Sequence, residues 1–535
     1  MECFISDYPS RFYSESMLEL CWGEGHSDLY AHLGAHANIQ IVQENIQKNF
    51  DISKRRVLHD VLLKQYAGIS LSEKQKIFLE QLLLDHTFTV TTGQQIHVGL
   101  GPMYVWNKIM SVLNTAEVLK KNNPNAHYVP LFWMASEDHD FEEIRDVRLF
   151  NQQFQWETDQ TGPVGLFNTH ELKKVFAEIR EKINLNPDSL ERLSVLEGIY
   201  SNAENLSAAT RELVQLVFGE TGLLVIDPND VELKKMSHQI WKQDILGKGK
   251  NSSPDGIETL ELMKLQHEKM REHGIEPQAY PREVNCFYMD LGIRERIEVK
   301  NEGFYRVQTG TTYSFAEMEQ LLNESPEKIS PNVLLRPVYQ QNILPNAVYV
   351  GGPAEIKYWI QIAPLFQQYG VVMPRLQLRL STVILNHSLI KKINKLGLDV
   401  DFFWKSWDEI EQYIFQLQED KFTLDAEIDQ LSNTFETIWK SLYGIHYDGL
   451  KSIKKDHVEV IKQLKKISVE HKNDPESASQ LAKDLSTAKN IKQTYFNEDL
   501  PQERVLHWSE IFIFQGNVLK VVSNETPIQF LKMII

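Results

Sequence analysis

Cysteine is scarce in this chain. Its 535 residues include three, Cys3, Cys21 and Cys286, and no two stand in C-x-x-C spacing. That excludes a dithiol redox motif and a zinc knuckle, and so few thiols suit a reducing compartment. No apolar run approaches the ~20 residues that cross a bilayer. The opening Met1-Glu-Cys-Phe-Ile-Ser-Asp-Tyr lacks the basic-then-apolar order of a secretory leader, so a cytoplasmic protein is expected. Positive charge is also short, with 56 basic against 73 acidic residues and a net charge of −17. Neither nucleic acid nor an anionic membrane is therefore expected as a partner, although a local basic pocket for one phosphate-bearing ligand stays open. Two phosphate-binding signatures are missing as well: no G-x-G-x-x-G follows a strand in register, and no P-loop Gly-Lys-Ser/Thr occurs.

What is present is ordinary in bulk, 42% hydrophobic and 24% charged, and the length suggests two or three domains. The informative stretch runs from Phe88 to Phe141. An apolar run leads into the Gly-rich loop Gly93-Gln94-Gln95 … Gly99-Leu-Gly101-Pro102. A helical pattern of about twenty residues follows, then Tyr128-Val-Pro-Leu-Phe-Trp-Met-Ala-Ser-Glu-Asp-His-Asp-Phe141. This is a βαβ unit, and in open parallel sheets ligands gather at the carboxyl ends of the strands. Both Gly93-Gln94-Gln95 and Glu137-Asp138-His139-Asp140 fall at such ends.

The rest of the chain can be placed around this unit. Residues 1–85 read as helical and mixed, packing on the sheet. Gly222–Pro228 reads as a buried strand. Residues 240–330 change to alternating pieces and read as an inserted α+β lobe. Val348-Tyr-Val-Gly-Gly-Pro-Ala-Glu355 repeats the strand, glycine loop and helix, with Pro353 in the first helical turn. Gly370-Val-Val-Met-Pro-Arg375 reads as a further strand ending in a polar tip. Leu424, Ile428, Leu431, Phe435, Ile438, Leu442 and Ile445 then follow a heptad seam. After a break at 444–449 a second seam runs through Ile453, Val460, Leu464 and Ile467, interrupted at Pro475. An antiparallel helical hairpin is expected, its apolar surface suggesting a homodimer. A final strand is read at Asn517–Val522, where the chain returns to the core. The domain boundaries are 1–386 for the core (with 240–330 inserted), 387–499 for the arm, and 500–535 for the returning segment.

Several residues carry candidate chemistry. Gly93, Gln94, Gln95 and Gly101 suit close backbone approach to a ligand and an anion at the following helix start; a tight turn with no ligand is the plain alternative. Glu137, Asp138, His139 and Asp140 suit acid–base work, ribose or amine contacts, or a metal. A metal is the weaker reading, since consecutive residues on one turn rarely converge on one ion. One of the aspartates could instead cap the helix at Phe141. Gly351, Gly352 and Glu355 repeat the loop logic, though Glu355 also favours a helix start with no ligand at all. Arg336, Arg375 and Arg379 are the cations near the tips. Arg375, after Pro374, is best placed for phosphate or carboxylate.

Read together, Thr92-Gly-Gln-Gln95, Gly101-Pro-Met-Tyr104, Val129 to Glu143, Gly162-Pro-Val-Gly165, Leu335-Arg-Pro337, Tyr349 to Glu355 and Gln502-Glu-Arg504 resemble the bacillithiol biosynthesis cysteine-adding enzyme family, the cysteine ligases. The blocks keep their order from about residue 85 onward, and the length is similar. The resemblance implies a Rossmann-like parallel-sheet core with an inserted connecting lobe and a coiled-coil arm used for dimerisation. It implies a ligase joining cysteine to the amine of glucosaminyl-malate, with a nucleotide, expected as ATP with Mg²⁺, and no tightly held metal. Gly93 to Gln95, Glu137 to Asp140 and Gly351 to Glu355 carry over as site candidates. An acid and an amine do not condense usefully in water unless the acid's hydroxyl becomes a leaving group. Helix starts and Arg375 would then steady phosphate charge, and Asp138, Asp140 or His139 would take the amine proton. The competing readings are a non-catalytic nucleotide sensor or scaffold and a metal-dependent hydrolase on Asp138, His139 and Asp140.

Overall fold

The computed structural model describes residues 2–5, 38–150, 152–247, 259–300, 303–422, 425–442, 450–472, 475–496, 501–516 and 530–534. The chain forms two compact units. One holds Cys3–Thr382 with Glu503–Lys532, and the other is mainly Val383–Gln502.

The larger unit is built on strands whose apolar runs are buried on both faces, as an all-parallel sheet requires. Strands β1 (Thr87–Gln94), β2 (His127–Met134) and β3 (Leu224–Ile226) come first. An antiparallel lobe follows, made of β4 (Cys286–Asp290), β5 (Ile293–Lys300), β6 (Gly303–Arg306), β7 (Thr312–Ser314) and β8 (Ile329–Pro331), in the order β7-β6-β5-β4-β8. The chain then returns to the first sheet with β9 (Asn346–Gly351) and β10 (Arg375–Leu378). The order there is β10-β9-β1-β2-β3, every neighbouring pair parallel. The chain winds one way from β1 through β3 and resumes on the other side of β1, so the switch point lies between β1 and β9. A crevice for a ligand opens at the carboxyl ends of such a pair.

Three helices bring chemistry to that crevice. Helix α1 (Met103–Asn122) follows β1 and is buried along most of its length. Helix α2 (Arg336–Ile343) carries Pro337 in its first turn, and α3 (Pro353–Gln361) begins on Pro353 directly after β9. Helices at Ile39–Asn49, Ser53–Gln65 and Glu73–Gln81 precede the sheet.

One expectation shifts. The strand read over 370–375 begins only at Arg375, because Met373-Pro374 precedes it and proline cannot donate to a ladder. Arg375 therefore opens β10, paired with Val348, and Leu378, paired with Gly351, ends it. The final strand read at 517–522 lies outside the described residues.

The second unit contains four long helices: α4 (Trp407–Phe422), α5 (Asp425–Ser441), α6 (Leu450–Lys472) and α7 (Pro475–Tyr495). The proline read as an interruption starts α7. Helix α5 packs on α6, with Phe435 stacked 4.0 Å from His457. Only alternate members of the expected seam turn inward. Ile428 is buried, whereas Leu431, Ile438, Ile453, Val460 and Ile467 are exposed. A seam of seven-residue period presents two adjoining rows, and this pairing covers one of them. Leu424, Ile445 and the break at 444–449 lie outside the described residues.

Candidate functional site

At the carboxyl ends of β1 and β9 the larger unit opens a cavity of about 380 Å³. Gly93, Gln94 and Gln95 form one wall, and Gly352, Pro353, Ala354 and Glu355 form another. Trp133, paired with Gly93 across β1 and β2, also lines it. Tyr104 and Lys108 come from α1, Arg336 from α2 and Tyr358 from α3; Glu143, Arg379 and Arg504 complete the polar lining.

The two glycine loops are tied together from beneath. Lys108, 3% exposed on its side chain, donates to the carbonyl of Gly93 (2.9 Å) and Oε1 of Gln94 (2.6 Å), and it pairs with Glu355. Glu355 also accepts from the Gly352 amide (2.9 Å) and the Tyr349 hydroxyl (2.7 Å). Burial pushes the Glu355 carboxyl up. Lys108 and the Gly352 amide more than offset that, leaving it below the usual carboxylate range. The Lys108 ammonium is itself lowered by burial.

The cavity's cations differ in how committed they are. Arg379, 3% exposed, is held by both oxygens of buried Glu503. Arg336 donates to Gln340 (3.0 Å) and the Tyr358 hydroxyl (2.7 Å). Arg504 is exposed and has no hydrogen-bonding acceptor among the described residues. Glu143 is the cavity's second carboxylate. Desolvation raises it, and the neighbouring charges of Asp138 and Asp140 raise it further.

The acidic tip of β2 adjoins this cavity, but its four residues do different things. Glu137 is buried, paired with Lys234, and accepts from Ser330 (2.8 Å). Asp138 accepts from the cavity residue Gln95 (2.7 Å) and from the His139 amide (2.8 Å). His139 receives a hydrogen bond from Arg294 (2.8 Å). Asp140 occupies the cap position before Phe141 without making a side-chain capping bond. None of the four side chains lines the cavity wall itself. Among the described residues, no three His, Cys, Asp or Glu side chains are grouped to hold a metal ion.

Three further expectations move. Gly101 does not line the cavity. Its φ of +67° and a Cβ that would sit 2.6 Å from His97 explain the glycine by backbone geometry. At the helix start that follows it, the Met103 amide donates to the Leu506 carbonyl. Gly351 ends β9 beneath the loop, where a Cβ would come within 3.0 Å of Glu355. Arg375 stands three residues back along β10, about 10 Å from the tip, and Arg379 occupies the place intended for it.

Lys108, Tyr104, Glu143, Tyr358 and Arg504 were not anticipated. Lys108 had one signal: a lone lysine between Trp106-Asn107 and Ile109-Met110 in an otherwise buried helix.

Among the described residues no helix is long and apolar enough to cross a membrane. Two family models match the chain. Residues 26–380 match "Bacillithiol biosynthesis BshC, N-terminal Rossmann-like domain", and residues 382–530 match the C-terminal coiled-coil domain of the same family. The chain is 33% identical to a protein of Cytophaga hutchinsonii over 72% of this chain and 70% of the other. It is 31% identical to one of Flavobacterium psychrophilum over 92% and 91%. Both relatives are named "Putative cysteine ligase BshC".

Proposed function

Since the chain belongs to the BshC family of bacillithiol biosynthesis, we propose that it is a ligase joining the carboxyl of cysteine to the amine of glucosaminyl-malate with nucleotide-dependent activation. The observation that carries this reading is the cavity at the β1/β9 switch point, where Gly93 and Gly352 meet Arg336 and the exposed Arg504. Such a site suits a small, anionic substrate whose reacting atoms must be fixed close to backbone.

The residues fit an anionic co-substrate in their donor chemistry. Arg504 and the remaining donors of Arg336 face the cavity beside the start of α3, and planar guanidinium groups suit phosphate and carboxylate oxygens. ATP with Mg²⁺, when bound, supplies the leaving group that an unactivated carboxylic acid lacks. The chain's own residues then do the rest. Arg336 and Arg504 offset negative charge, and Gly93 and Gly352 leave room for close approach. The attacking amine must shed a proton. Glu143, a cavity carboxylate with a raised pKa, is placed to take it, whereas Glu137 is already paired with Lys234.

We place the protein in the cytoplasm, where its few cysteines stay reduced. We expect a homodimer: the exposed row Ile453, Val460 and Ile467 recurs every seven residues on α6, which suits a second helical arm.

The test is direct. Purified protein is incubated with cysteine, glucosaminyl-malate, ATP and Mg²⁺, and the amide product and nucleotide products are followed by mass spectrometry. Amide with AMP and pyrophosphate supports the reading with adenylate-type activation; amide with ADP supports it with acyl-phosphate activation. No amide with any nucleotide, while ATP still binds, favours the sensor or scaffold reading. Glu143→Gln should lower turnover about 10²–10⁴-fold, the usual worth of a general base.

A further inference from the structure

The tip of β2 is braced by a residue that no block of the resemblance contains. Arg294 lies on β5 of the antiparallel lobe, 8% exposed. Its Nε donates to Ser330 Oγ (3.0 Å) and Nη2 to the Pro331 carbonyl (2.9 Å), both on β8. Its guanidinium lies 4.2 Å from the centre of the Phe287 ring. Ser330 in turn donates to Glu137, which Lys234 neutralises. The head group is thus fixed on three sides, and its remaining arm, Nη1, lies 2.8 Å from Nδ1 of His139.

A guanidinium has only donors and stays charged in proteins, so Nδ1 of His139 must present its lone pair. The ring's one remaining proton site is Nε2. The ring is about two-fifths exposed on its side chain, and Nε2 has no hydrogen-bond partner among the described residues. Three charged groups face the ring: Asp138, Asp140 and Arg294. Two of them are carboxylates, which taken alone would favour an imidazolium. Burial and Arg294 outweigh them, and the ring's pKa lies below the ordinary value. Asp138 Oδ1 is 3.7 Å from Nδ1, too far for a hydrogen bond, and is instead engaged by the His139 amide. Asp138 is also the link to the cavity, through Gln95.

We infer that Arg294 is a positioning residue that holds His139 as the neutral ring protonated on Nε2, so that His139, on the tip beside the cavity, offers a hydrogen-bond donor to an oxygen of a substrate that reaches past the cavity wall and does not take the amine proton. The ligand chemistry is a carbonyl, carboxylate or phosphate oxygen, an acceptor with no proton to give. The substrate side of this inference rests on the ligase reading above; the tautomer does not.

The experiment therefore has two independent arms. In the first, full-length protein with ¹⁵N-labelled histidine rings is titrated by NMR, with His139 assigned from the signals missing in His139→Gln. Nε2–H across neutral pH is expected. In Arg294→Gln the ring should sample both tautomers and titrate at higher pH, with Arg294→Lys partly restoring the wild-type pattern. A wild-type ring protonated on Nδ1, or exchanging freely between tautomers, overturns the inference even if the Arg294 variants do not fold. In the second arm, glutamine at position 139 keeps an N–H donor near the place of Nε2 but cannot act as a base. His139→Gln should retain coupling within about tenfold of wild type, whereas His139→Ala should lose about 10²-fold, as when an oxyanion donor is removed. Equal and severe loss in both variants overturns the donor role. If wild-type protein makes no amide at all, the ligase reading has failed, and the NMR arm still decides the tautomer.

Discussion

Buried Lys108 and the largely buried Glu355 form an ion pair that joins the end of β1 to the loop after β9. Neither strand is continuous with the other in sequence, and the two segments bound opposite sides of one cavity. Lys108 spends its three donors on Gly93, Gln94 and Glu355, so its role is to hold the crevice open at a set width. Removing Glu355 leaves the Lys108 ammonium buried without its counter-charge, whereas removing Lys108 leaves Glu355 partly exposed and still accepting from Gly352 and Tyr349. Glu355→Ala should cost about 3–5 kcal/mol and Lys108→Ala less, and the double variant should cost clearly less than the sum. Urea denaturation of the four proteins checks this. Additive losses would mean that the two side chains act separately.

The glycines divide into two kinds, and the division can be measured. A Cβ on Gly93 would meet nothing nearer than 3.6 Å, and one on Gly352 nothing nearer than 3.5 Å. Both Gly93→Ala and Gly352→Ala should therefore fold with stability within about 1 kcal/mol of wild type yet impair ligand binding by filling the cavity wall. Gly101→Ala should do the reverse. Its backbone conformation alone costs about 1–3 kcal/mol for a residue with a side chain, and the collision with His97 adds to that. Melting temperatures paired with calorimetric titration of glucosaminyl-malate separate the two classes.

The same contrast shows what could be read from the sequence. The parallel sheet was legible because strands buried on both faces leave uninterrupted apolar runs such as Val129 to Ala135. The two glycine loops were legible because they interrupt those runs at their carboxyl ends. The cations were only partly so. The sequence points to Arg336, Arg375 and Arg379 alike and favours Arg375 on the strength of Pro374, whereas that proline delays the strand and leaves Arg375 at its start. Arg504 arrives from more than a hundred residues downstream, and no local pattern reports so distant a contact. The acidic tip looked like one unit of four. Its members split because Lys234, from the helix Val231–Met236, and Ser330 and Arg294, from the antiparallel lobe, each partner a different residue or atom, and side-chain pairing between segments so far apart in sequence leaves no periodic trace.

Arg504 and Arg379 both line the cavity, and their substitutions should differ in kind. Arg504 is exposed with no acceptor among the described residues, so Arg504→Gln should leave the melting temperature unchanged. It should weaken binding of an anionic ligand about tenfold, with the loss shrinking as salt rises. Arg379→Gln removes the partner of buried Glu503, which also accepts from Asn107 (2.6 Å), and should destabilise the fold whether or not ligand is present. Isothermal titration at two salt concentrations, beside thermal melts, distinguishes the two. Unchanged affinity in Arg504→Gln would remove that residue from the site.

Acid should destabilise the larger unit through a specific pair. Burial lowers His97 to about 4, with Lys108 adding to the effect, and burial lowers His507 to about 3, with His97 adding to it. Their ordinary value is 6.5. Between pH 4 and 6 the unfolded chain therefore binds more protons at these positions than the folded one, nearly two at pH 5. Stability from this pair is complete above the ordinary value and is lost as pH falls. Asp244 works the other way. Burial raises it from 3.8 to about 6, so around pH 5 the folded state holds nearly one proton there that the unfolded state has released. Together these three groups contribute a net difference of about one proton, about 1.4 kcal/mol of unfolding free energy per pH unit between roughly pH 4.5 and 5.5. Asp244→Asn deletes the opposing contribution, so its slope should be steeper than wild type by roughly one proton's worth, about 1.2 kcal/mol per pH unit, whatever the substitution does to absolute stability. Chemical denaturation across that range measures both slopes. A variant slope equal to or shallower than wild type would show that Asp244 is not protonated in the folded protein at pH 5.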